Sequence, residues 1–206
     1  MAWLSAIPDL LTAAGFLLIW MRTDLTGPEW VANGVATMLL EFFVVHASGF
    51  YAVILYGGGS RTRRSLYLAG LASLYLLMIT AYAWGMHAWW MIGAFFWLTL
   101  SKGLTVWTRS GGEDREQQLW VAMSAWAASV ACYLGAVGAS VTRDWPAYGV
   151  TPEVIQATGF TGSGEWEAQP YRALVAGALY FGIMALLRTL IRLALLRKQP
   201  ARPGAQ

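Results

Sequence analysis

Residues 65–101, SLYLAGLASLYLLMITAYAWGMHAWWMIGAFFWLTLS, contain no Asp, Glu, Lys or Arg. A helix needs about 20 mostly apolar residues to cross the roughly 30 Å hydrocarbon core of a bilayer. This run is too long for one such helix and right for two joined by a tight turn, which the sequence places near Gly85-Met86-His87. Working outward, the charges divide the rest of the chain into further segments of spanning length. The expected spans are 2–21, 30–56, 66–84, 88–106, 119–141 and 171–193, with a long loop at 142–170. Pro200 and Pro203 leave an expected disordered tail at 200–206, beyond a single transmembrane domain of residues 1–199. The predicted architecture is an all-α, polytopic transmembrane bundle of six spans, or five if the first segment lies in the interface. That first segment is the weakest, because Pro8 and Asp9 interrupt it.

Composition points the same way. Of 206 residues, 57% are hydrophobic and only 12% charged, against roughly 25% charged in a soluble domain. The 12 Trp, 9 Tyr and 8 Phe suit a bilayer, since amphipathic rings collect where spans meet headgroups. The net charge of +3 does not call for a nucleic acid, because the basic residues flank apolar stretches and are expected to set orientation. The one cysteine, Cys132, lies within a predicted span, so no intrachain disulfide forms. No Lys or Arg precedes Arg22 and no small-residue cleavage site follows the first apolar stretch, so a cleaved signal peptide is not expected. The preference for Arg over Lys, with abundant Ala and Gly, hints at a bacterial inner membrane.

Lys and Arg gather on cytoplasmic loops. Arg61, Arg63 and Arg64 precede the third span; Lys102, Arg109 and Arg115 lie at or beyond the end of the fourth; Arg188, Arg192, Arg197, Lys198 and Arg202 mark the C-terminus. With six spans all three clusters share one side, and both termini are expected to be cytoplasmic. Trp20, Trp30, Trp84, Trp89 and Trp90 then form an outer aromatic belt, and Trp3, Trp107 and Trp120 an inner one.

The position that invites chemistry is Glu41. An ionisable group near the bilayer midplane costs about 3 kcal/mol on insertion scales and is a functional hypothesis by default. At about 100° per residue, Asn33, Thr37, Glu41 and Ser48 fall in one narrow arc and draw a polar stripe that must turn away from lipid. One reading gives Glu41 an ion or proton pathway; the other makes it a neutral or hydrogen-bonded tie between helices. His46 lies about 140° and about 7.5 Å from Glu41 on the same helix, so the two do not share a face. His46 and Lys102 remain possible functional residues, Lys102 either snorkelling or serving as counter-ion to Glu41. Asp9 is placed to pair with Arg188 or Arg192 between the first and last helices; alternatively the arginines reach the headgroups and Asp9 sits near the surface.

The outer loop carries Thr151-Pro152-Glu153, a helix start, and Gly159, a stop. Trp145, Tyr148, Phe160 and Trp166 would anchor this loop in the interface, or the loop serves as a lid or partner-binding surface. Gly162-Ser163-Gly164 lacks the spacing and context of a hydrolase elbow. Ala131, Gly135 and Gly138 are expected to let neighbouring helices approach closely. The only two histidines, His46 and His87, fall at different depths, which argues against a bis-histidine haem. No paired His/Cys spacing suggests a metal, and no cofactor is expected.

Two functions fit these residues: a small transport or channel-like protein with Glu41 as titrating group, or a non-catalytic subunit or assembly factor of a membrane complex. The lipid bilayer is the expected partner in either case, with a membrane-protein partner or a second copy of the chain as a further expectation and no nucleic acid. Nothing recognisable as a nucleophile or acid–base pair favours an enzyme.

Overall fold

The computed structural model describes residues 6–108 and 115–198. Residues 2–5 of the first expected span, including Trp3, with Arg109, Arg202 and the 200–206 tail lie outside these, as do the side chains of Trp107, Arg197 and Lys198. The described residues are helical throughout and hold no strand. In chain order the helices are α1 (Ile7–Met21), α2 (Thr23–Thr26), α3 (Pro28–Tyr56), α4 (Arg61–Gly85), α5 (Trp90–Thr108), α6 (Arg115–Thr142), α7 (Pro152–Ala157), α8 (Glu165–Ala168) and α9 (Pro170–Lys198). Within the described residues, Pro28–Tyr56, Arg61–Gly85, Arg115–Thr142 and Pro170–Ala194 are long and apolar enough to cross a membrane. Exposed Leu66, Leu77, Val121 and Leu186 are the kind of surface such helices offer to acyl chains.

Local chemistry sets the ends. Ile7 opens α1, so Pro8 sits in the first turn, where its missing N–H leaves no hydrogen bond unmade; it begins the helix rather than interrupting it. Gly27, at φ +95°, turns the chain from α2 into α3, a conformation free of strain only without a Cβ. Ser60 caps α4 by accepting from the Arg63 N–H. The α4–α5 turn lies between Gly85 and Trp90 and places His87 at φ +53°. Arg64 is buried, and its Nη1 donates to the Leu55 carbonyl at 2.8 Å, satisfying the C-terminal turn of α3.

Helix α3 is central and packs against α1, α4, α5, α6 and α9. On one side Val31, Met38 and Val45 join Phe16, Tyr133, Leu174, Val175 and Tyr180 in a core shared with α1, α6 and α9. On the other, Ala36, Leu40, Phe43 and Ala47 join Tyr75, Ile79, Met91 and Phe95 of α4 and α5. Close approach depends on glycine: Cβ atoms at Gly177 and Gly49 would stand 2.6 Å from the Phe16 ring and 2.7 Å from the Trp126 indole. Those are not the small residues the sequence suggested. Ala131, Gly135 and Gly138 face outward, and a Cβ on either glycine would meet nothing. Tyr133 and Ala136 carry the buried side of α6 instead.

The loop over residues 142–170 folds back over the bundle. Thr151 caps α7 through its hydroxyl, Gly159 follows at φ +73°, and α8 adds a short helix that the sequence did not suggest. Trp145 donates to Ala139 O at 2.9 Å, and Gly149 N donates to Trp20 O at 3.1 Å. Trp20 is therefore 7% exposed, its indole N–H on Pro146 O at 2.9 Å and its ring edge-on to Trp145 and Tyr148. It anchors the loop and is not part of an outer belt, whereas Trp30, Trp84, Trp89 and Trp90 are exposed.

Candidate functional site

The polar positions of α3 are divided among different neighbours. The member nearest the start of α3, Asn33, accepts from Trp90 Nε1 of α5 at 3.0 Å. Thr37 and Ser48 return their hydroxyl protons to their own helix, on Asn33 O and Val45 O, both at 2.7 Å. Glu41 alone reaches across to α9, where Tyr180 Oη donates to Glu41 Oε1 at 2.7 Å. Asn33, Thr37, Glu41 and Ser48 thus share an arc without forming one hydrogen-bonded chain. Asn33 and Thr37 instead line a groove of about 180 Å³ against Thr12 and Phe16 of α1.

Two side-chain donors dock α6 beside Glu41. Tyr133 Oη donates to Met38 O at 2.9 Å, one turn before Glu41, and Trp126 Nε1 donates to Val45 O at 3.0 Å, one turn after it. Tyr133 and Tyr180 meet edge to face with centroids 5.6 Å apart. Glu41 thus sits among two tyrosines and apolar walls, within electrostatic reach of the Asp9–Arg188 pair, a setting in which a carboxyl group can hold, accept or release a proton. Among the described residues no group of His, Cys, Asp and Glu side chains is arranged to hold a metal ion.

His46 faces elsewhere. Its Nδ1 lies 2.7 Å from Tyr75 Oη of α4, its ring stacks on Phe42 at 5.9 Å and meets Phe50 edge-on at 5.5 Å. Glu41 and His46 therefore serve opposite sides of α3. His87 is exposed in the α4–α5 turn, and Cys132 is half-buried in α6.

Asp9 of α1 and Arg188 of α9 come together, with Arg188 Nε 3.0 Å from Asp9 Oδ2. The contact is electrostatic rather than an aligned hydrogen bond, since Asp9 Oδ2 has no hydrogen-bond donor. Among the described residues Arg192 is not in that ion pair. Lys102 forms no ion pair with Glu41 among the described residues; it lines a cavity of about 350 Å³ with Ser48, Tyr51, Trp126, Ser129 and Arg188. That cavity begins at Ser48, seven residues from Glu41, which is about 10 Å along the same face of α3.

Sequence reasoning passed over Tyr133, Tyr180, Tyr75 and Trp126. Their signal was depth: a hydroxyl or indole N–H in the middle of a span must find a partner there, unlike one at the headgroups. A larger groove, about 590 Å³, lies between Leu39, Tyr82, Val137 and the loop residues Gly162 and Trp166. The acidic side chains on its rim are engaged, Glu165 with Arg172 at 2.6 Å and Glu167 with Gly164 N at 3.2 Å.

No known protein family matches this sequence, and no curated protein or solved structure is similar to it.

Proposed function

We propose that this chain is a six-span protein of a cell membrane, both termini cytoplasmic, that moves a proton or a small ion with Glu41 as the titrating group. The observation that carries the reading is Glu41 itself: a carboxyl group in the central helix, held by a single neutral donor, Tyr180. A polar cavity opens about two turns further along the same face, toward the end of the bundle that holds Arg61 and Arg63. A carboxyl used only as an interhelical tie needs no such neighbouring space. Helices α1 and α5 supply the fifth and sixth spans, α5 with 19 residues and α1 with 15.

The test is pH-driven flux in proteoliposomes, wild type against Glu41→Gln. Flux in the wild type that falls at least tenfold in the variant supports the proposal; equal flux in both, or none in either, refutes it. Topology is tested separately by labelling cysteines introduced at Arg61 and Ala205, which react from the cytoplasmic side together if the six-span scheme holds.

A second reading, a non-catalytic subunit or assembly factor, draws support from the outer end. There Trp145 and Val150 of the loop join Trp20 in the core, while Thr151, Pro152, Glu153 and Gln156 of the α7 region stay exposed. A stoichiometric membrane partner that is lost when Thr151 to Gly164 is replaced by a short linker would favour this reading.

A further inference from the structure

We infer that the cavity between α3, α5, α6 and α9 is a phosphate site, suited to the headgroup of an anionic phospholipid or to a free phosphate ion. Two cations from different helices line it, Lys102 of α5 and Arg188 of α9, and none of its lining residues is acidic. Lys102 has no ion-pair partner among the described residues, and its side chain is exposed. Arg188 spends only one edge on Asp9, through Nε. Its two terminal nitrogens carry no hydrogen bond among the described residues, leaving a fork of donors of the kind that matches phosphate oxygens.

Position favours phosphate over a small neutral ligand. The α3 wall runs from Ser48 to Tyr56, the last residue of that helix, so the cavity reaches from the acyl region to headgroup depth. It also fills a gap: among the described residues α5 and α6 do not pack extensively on each other, and the cavity lies between Lys102 on one and Ser129 on the other. A lipid can enter such a gap sideways with its tails in the bilayer, and basic pockets between spans are where anionic headgroups bind. The 350 Å³ volume exceeds the needs of a single water and admits a phosphate with its first neighbours. The cavity is the one that opens along the Glu41 face of α3, and Arg188 lies within electrostatic reach of Glu41, but phosphate binding there does not require transport.

The test uses the full chain in a neutral detergent, with thermal stability followed as phosphatidylglycerol, phosphatidylcholine or inorganic phosphate is added. Phosphatidylglycerol is expected to stabilise at concentrations where phosphatidylcholine does not. Lys102→Gln should need about five times more of it, the loss of one surface cation's share, while Lys102→Arg responds as wild type. Arg61→Gln, which changes an exposed charge at the same end outside the cavity, should also respond as wild type. If inorganic phosphate reproduces the effect and its Lys102 dependence, the site takes free anions; if only the phospholipid does, it is a headgroup site. Equal stabilisation by phosphatidylglycerol and phosphatidylcholine, or equal losses in Lys102→Gln and Arg61→Gln, overturns the inference.

Discussion

Arg188 reaches Asp9 from the opposite end of the chain, 3.0 Å across the α1–α9 interface, and the two are unequally sheltered. The Arg188 side chain is 48% exposed and that of Asp9 only 11%. Removing the arginine therefore strands a carboxylate among apolar neighbours, whereas removing the carboxylate frees an arginine that can extend to the headgroups. Arg188→Gln should cost about 1–2 kcal/mol and Asp9→Asn less than about 1 kcal/mol, the half-exposed partner limiting both. The double variant should recover most of the Arg188→Gln loss. Thermal unfolding in detergent measures all three, and additive losses would show that the contact contributes nothing.

The Glu41–Tyr180 bond predicts a different pair of effects. Glu41→Gln keeps an oxygen where Tyr180 Oη donates, so the variant should fold with nearly wild-type stability even as it removes the carboxyl group. Tyr180→Phe takes away the donor and leaves a carboxyl oxygen without its partner, at a cost of about 1–3 kcal/mol. A glutamate whose only task is structural would show small flux effects that follow the stability changes in both variants. For a titrating one, Glu41→Gln abolishes flux without the stability loss.

Outside the spans, the pH behaviour of two carboxyl groups has a definite sign. The Arg22 guanidinium, hydrogen-bonded to Asp24 at 2.8 and 2.9 Å, holds the Asp24 carboxyl below its ordinary range. The Thr151 hydroxyl beside Glu153 lowers that carboxyl as well. A carboxyl lowered on folding adds stability above its unfolded pKa, near 4, and loses it as pH falls through the lower folded value. Neither group should therefore alter stability between pH 5 and 7. Carboxyl-selective NMR titration should find both midpoints below those of an unfolded peptide. Arg22→Gln should return Asp24 to the ordinary range and leave Glu153 where it is.

Features written in neighbouring residues were legible in the sequence. The break between α4 and α5, the Thr151 cap and the polar arc of α3 each depend on a few positions close in the chain. Which helix meets which, and at what rotation, was not legible to the same degree. Asn33 and Glu41 share an arc, yet they bond to α5 and α9 because α3 is surrounded on all sides. On α6, small residues occupy more than one face, so spacing alone cannot say which face is packed; the buried one is marked by Tyr133. The cavity at Lys102 was equally hidden, since it is the product of a gap between helices rather than of any motif.

Glycine substitutions separate the packed faces from the open ones. At Gly177 an added methyl group would meet three carbons of the Phe16 ring at 2.6–2.7 Å. That ring is 4% exposed and stacked on Phe181 at 5.8 Å, so it has nowhere to move. Gly177→Ala should therefore cost about 1–3 kcal/mol through overpacking. At Gly34 the atom in the way is a single terminal methyl of Leu174, itself fully buried, so alanine there should also destabilise, by less than at Gly177 because one flexible methyl group rather than a ring edge must shift. Gly135 and Gly138 have open space in α6, so alanine there should be neutral or stabilise by up to about 1 kcal/mol through helix propensity alone. Unfolding midpoints of the four variants rank these effects. If Gly135→Ala and Gly138→Ala proved as harmful as Gly177→Ala, the outward face of α6 would have to lie against another helix, supplied by a second copy or a partner.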